Sequence, residues 1–171
     1  NLGIYMGQRD QRDLSFLGCL HTVDGKLFID KHKLLESTEG LENLKSVRAL
    51  SIQKNDNLRV VTGFDQLREL ELLQVSRNPV LEELQLETLE AVRMLVIGNC
   101  AETSPAAHHF ALAGLSGFGS LTTVEGLSLE GNEALVSADL LDALDANGAA
   151  TPLVSASIRF NPMLLEAAVN A

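Results

Sequence analysis

Gly63-Phe64-Asp65-Gln66-Leu67-Arg68-Glu69-Leu70-Glu71-Leu72-Leu73-Gln74-Val75-Ser76-Arg77-Asn78-Pro79-Val80-Leu81 is the stretch that decides the fold. It holds two apolar elements and a corner. Phe64, Leu67 and Leu70 fall three apart, Leu73 and Val75 alternate as in a strand, and Asn78 with Leu81 closes the unit. The second half recurs as Leu50 to Leu58, Leu127 to Leu135 and Ala156 to Leu164, each with Asn in the same slot. The first half recurs as Leu41-Leu44-Val47, Leu86-Leu89-Val92 (Leu86 one position early), Phe118-Leu121-Val124 and, more weakly, Leu17-Leu20-Val23. Asn55 and Asn78 are 23 positions apart, His32 takes the slot 23 before Asn55, and Cys100 takes it 22 after Asn78.

A fixed period of this length marks repeats that cannot bury an apolar face alone and must stack on one another. The expected fold class is therefore an α/β solenoid of ~23-residue rungs. The corner slot, occupied by His32, Asn55, Asn78, Cys100, Asn132 and Asn161, is expected to be a structural ladder. An amide there bonds neighbouring backbone and tolerates left-handed geometry, and a thiol is small enough to be buried.

Two longer intervals mark insertions. From Cys100 to Asn132 is 32 positions and from Asn132 to Asn161 is 29. Ser104-Pro105 opening a run that reaches Gly114 predicts a helix near 104–113. Leu140, Leu141 and Leu144 on one face, after Ser137 and before Asn147-Gly148, predict another near 138–146. The apolar run from Met163 to Val169 predicts a C-terminal capping helix. The 171 residues read as one domain, with the repeats running roughly from 14 to 165.

Composition narrows the function classes. Thirteen Lys plus Arg against twenty-three Asp plus Glu leave a net charge of −10, the wrong field for a phosphate backbone, so no nucleic acid is expected. No apolar stretch approaches the ~18 residues of a membrane span. The four histidines show no metal-ligand spacing, and Gly-rich phosphate loops and Gly-x-Ser-x-Gly elbows are missing from the sequence. Asp139, Asp142 and Asp145 do not match a calcium loop. The expectation is no catalytic residue, no metal and no cofactor. Cys19 and Cys100 belong to repeats at least ~14 Å apart at one strand spacing per repeat, and a disulfide needs Cα atoms within about 7 Å, so both are expected as free thiols.

The repeat register also sorts the outward side chains. One column reads Lys26, Ala49, Leu72, Met94, Gly126 and Ser155, and the next reads Phe28, Ser51, Gln74, Val96, Ser128 and Ser157. Leu72, Met94 and Val96, with Phe28 farther along, form the candidate binding patch. Beside them Asp24, Arg48, Glu71, Arg93 and Glu125 alternate in sign, a charge ladder that would set the register. Lys31, Lys54 and Arg77 make a uniformly positive column at the corner.

The composite pattern from Gly63 to Leu81, echoed by Glu39-Gly40-Leu41-Glu42-Asn43-Leu44-Lys45-Ser46-Val47, resembles the receptor L-domain, the ligand-binding lobe of insulin-receptor and epidermal-growth-factor-receptor ectodomains. The resemblance implies a right-handed β-helix or leucine-rich-repeat-like solenoid with short helices at corners and ends. The chain departs from animal receptors in having only two cysteines and no Asn-x-Ser/Thr sequon, which points to a bacterial secreted member. It begins at Asn1, and a signal segment upstream is expected.

Together these readings predict a non-enzymatic extracytoplasmic module, secreted or at the cell surface, presenting one face to an unknown protein or glycan partner. The alternatives are a structural spacer within an envelope protein and, less favoured, a β-helix carbohydrate-active enzyme.

Overall fold

The computed structural model describes residues 2–5, 11–98, 111–137, 140–141, 144 and 153–164. Each repeat contributes one strand to a sheet in which every pairing is parallel. The strands are β1 (Leu2–Tyr5), β2 (Thr22–Asp30), β3 (Ser46–Gln53), β4 (Val60–Val61), β5 (Glu69–Ser76), β6 (Glu83–Leu84), β7 (Ala91–Gly98), β8 (Thr123–Glu130) and β9 (Ser155–Arg159). Seven of them form the main sheet in the order β1-β2-β3-β5-β7-β8-β9, and β4 pairs with β6 in a second, small parallel sheet. Register follows the repeat: Leu27, Leu50, Leu73, Leu95, Leu127 and Ala156 are successive partners, as are Ile29, Ile52, Val75, Ile97, Leu129 and Ile158.

Stacking like on like is what buries the aliphatic columns. From β2 to β8 the Leu and Ile/Val columns are buried, and they join Phe64, Phe118, Leu41, Leu44, Leu67, Leu89 and Leu121 in one core. Full burial of such a side chain is worth ~1.5–3 kcal/mol, so these columns dominate stability. The last column positions behave differently: Ile158 is 44% exposed on the edge strand β9.

The expected α/β solenoid with corner helices is corrected here. The architecture is parallel β, and among the described residues no closed solenoid is formed, the second sheet consisting of two strands of two residues each. Among the described residues, helix is confined to the 3-10 turn Ser15–Leu17 and to residues 140–141, 144 and 162–164. The corners explain why. Leu44, Leu67, Leu89 and Leu121 each donate a backbone N–H to the residue three before (Leu41, Phe64, Leu86 and Phe118), and Leu58, Leu81 and Leu135 do the same to Asn55, Asn78 and Asn132. A corner is thus a single tight turn with one hydrogen bond, far below the length at which a helix propagates.

The helix expected near 104–113 falls outside the described residues up to 110, and residues 111–113 are not helical. Of the one expected near 138–146, Leu140, Leu141 and Leu144 are helical, with Leu140 and Leu144 buried in the core, and the remainder lies outside the described residues. The capping helix is described only at 162–164, where Leu164 packs against the core.

The corner column is a hydrogen-bonded ladder. The Asn55 side-chain amide donates to the Ile29 carbonyl at 3.1 Å and to Asn78 Oδ1 at 3.0 Å, while Asn55 Oδ1 accepts the His32 N–H at 3.1 Å. Asn78 repeats the pattern by donating to the Ile52 carbonyl and accepting the Asn55 N–H, each at 3.1 Å. Asn132 donates to Ile97 and to Asn161, and Asn161 donates to Leu129 at 2.8 Å. His32 and all four asparagines are buried; Cys100 lies outside the described residues. Lys31, Lys54 and Arg77, each immediately before a ladder residue, hold positive φ angles of 64°, 56° and 58°. The turn demands left-handed geometry there, at a cost of roughly 1–2 kcal/mol per non-glycine residue.

Candidate functional site

The central strands β5 and β7 of the main sheet each break their in-out alternation at one place. In β5, Leu70 and Leu73 are buried while Glu71 and Leu72 between them face outward. The same break recurs at Arg93-Met94 in β7; at its register position in β8 Glu125 is exposed and Gly126 is buried, and β2 shows a register shift between Val23 and Lys26. Two consecutive outward residues bend a strand, and a bend repeated in register across parallel strands produces a furrow.

That furrow is an open groove of about 460 Å³ across the outer face of the sheet. Its apolar floor is the column Ala49, Leu72, Met94 and Gly126, with Ser155 of β9 and the preceding Val154 at one end and Lys26 at the other. Arg48, Glu71, Arg93 and Glu125 flank the floor on one side in alternating sign. Met94 is 38% exposed and lies over Gly126, where an added Cβ would fall 2.7 Å from Met94 Cε and 2.9 Å from its sulfur. The absent side chain at Gly126 therefore gives the Met94 thioether its place.

The structure brings Leu72 and Met94 together as register partners in this floor. Val96 and Phe28 belong to the neighbouring column; both are half-buried and neither lines the groove. Leu112, from the insertion, is buried in the core. Sequence reasoning missed the groove because its cause is the alternation break, visible only as apolar residues three apart (Leu70 and Leu73, Val92 and Leu95) inside a strand that otherwise has period two. Gly126, the one glycine in its column, was the available signal.

The charges beside the floor pair sparingly. Arg48 Nε sits 3.9 Å from a Glu71 oxygen, and among the described residues neither Arg93 nor Glu125 forms an ion pair. The tight pairs between successive repeats lie at other corners: Arg59–Glu82 at 2.8 Å, Arg68–Glu90 at 2.6 Å and Arg12–Glu36. Lys31, Lys54 and Arg77 do not line the groove.

On metal and redox chemistry, Cys19 is a free, exposed thiol, and the companion expectation for Cys100 lies outside the described residues. A second groove of about 330 Å³ is lined by Glu82, Glu83 and Glu87 beside Gly117. Among the described residues, no group of three His, Cys, Asp or Glu side chains is placed to hold a metal ion. Nor is any helix among them long and apolar enough to cross a membrane. No protein-family model matches the chain, and neither a curated protein nor a solved structure matches it.

Proposed function

We propose that the protein is a non-enzymatic binding module that engages a protein or glycan partner through the groove on its main sheet. The supporting observation is the groove itself: an apolar floor, centred on Leu72 and Met94, bounded by a row of exposed charges. An accessible apolar strip with a charged rim has the make-up of a recognition surface, the floor supplying desolvation and the rim orientation. The extracytoplasmic setting, and with it kinship to receptor L-domains, rests on the sequence resemblance alone.

The test is capture from a native surface extract and on a glycan array, comparing the intact chain with Met94→Glu and Gly126→Leu. The first variant places a charge in the floor and the second displaces the Met94 side chain. A species retained by the intact chain and lost by both variants, with unchanged melting temperature, supports the reading. Equal recovery moves recognition away from the groove, and the absence of any captured species favours the spacer role.

A further inference from the structure

The charged row beside the groove has a symmetry that identifies a partner. Arg48, Glu71, Arg93 and Glu125 lie on four adjacent strands in register, at about 4.8 Å per strand. Read in one direction the row is plus, minus, plus, minus; read backwards it is minus, plus, minus, plus. The four members that line the groove are therefore complementary to themselves when reversed; Asp24, on β2, continues the row beyond the groove lining and stands outside this match. A two-fold axis lying in the contact plane and parallel to the strands performs that reversal, and a two-fold contact requires a surface to match its own reversed copy.

We propose that the groove face pairs with a second copy of this chain, the two-fold axis passing midway between β5 and β7. This rests on reading the groove as an interface and names its occupant. In that arrangement Glu71 meets the second copy's Arg93, Arg48 meets its Glu125, and each contact occurs twice. The floor obeys the same operation: half-buried Leu72 faces the exposed Met94 at the centre, and the small, buried residues Ala49 and Gly126 lie opposite each other beneath the ends. Placing the axis on a strand sets Arg93 against Arg93 or Glu71 against Glu71. Moving it between β3 and β5 sets Met94 against Lys26, which discards the apolar match. Same-sense stacking puts every charge on its like. Charge excludes an axis on a strand and the apolar floor excludes the axis between β3 and β5, so the two together select the register.

Sedimentation equilibrium at about 50 mM salt, where screening is weak, measures the association directly. The intact chain is expected to dimerise, less tightly as salt is raised. Glu71→Arg and Arg93→Glu, each putting like charges together twice, are expected to weaken the dimer at least about 10-fold, and the Glu71→Arg/Arg93→Glu double variant to restore it to within about 3-fold, as coupled sites do in a mutant cycle. Both positions are exposed, and matching melting curves confirm that the variants are folded. A chain that stays monomeric at about 0.5 mM overturns the pairing, as does a folded double variant that fails to recover. Capture of a different molecule, lost in Met94→Glu, together with a monomeric chain would overturn self-pairing while leaving the groove's binding role standing.

Discussion

Asn78 illustrates how much a single side chain carries in this molecule. Fully buried, it donates to the Ile52 carbonyl and accepts both the backbone and the side-chain N–H of Asn55, so its loss removes the partner that it gives to two backbone groups of the preceding repeat and one of the two acceptors of the Asn55 amide. Asn78→Ala should cost about 2–4 kcal/mol, because each orphaned buried group costs ~1–3 kcal/mol and relaxation recovers part of it. Urea denaturation measures this, and a cost below about 0.5 kcal/mol, the level of an inert surface change, would mean that the ladder satisfies nothing. The ladder was legible in the sequence because the amide must recur at one slot. The left-handed backbone of Lys31, Lys54 and Arg77 was not: nothing about a cation announces positive φ, and the turn imposes it.

At the level of the element, a corner is a comparison between a buried leucine and an exposed ion pair. Leu67 closes its turn by bonding Phe64 and is buried in the core, while its neighbour Arg68 holds Glu90 at 2.6 Å with both side chains about half exposed. Leu67→Ala should cost about 2–5 kcal/mol and Arg68→Ala less than about 1 kcal/mol, despite the shorter contact. Thermal melts of the two variants decide it, and a larger loss at Arg68 would contradict this ranking. The corner helices implied by the resemblance failed at this scale. Apolar residues three apart suit a helical face and also the two ends of a β-turn, so spacing alone does not separate them.

For the whole molecule, stability should not be uniform. β3, β5 and β7 are covered by a strand on each side and bury both aliphatic columns, whereas β9 is an edge strand with Ile158 exposed and Phe160 68% exposed beyond it. Hydrogen exchange should therefore be slowest in β3, β5 and β7 and fastest in β9, since opening a segment costs in proportion to the apolar contact it breaks. Equal protection in β9 and β5 would instead mean that the sheet opens only as a unit.

The sequence by itself determined the periodic part of this protein: which residues stack and where the corner amides lie. These follow from a repeat whose apolar slots must superimpose to be buried. Only the tertiary structure decided how the corners close, that the architecture is parallel β, and that Leu72 and Met94 share a groove while Val96 and Phe28 do not. The physical reason is that a bend in one strand is a local irregularity. It becomes a groove only when neighbouring strands, brought together by pairing between residues 22 to 32 positions apart, repeat it in register.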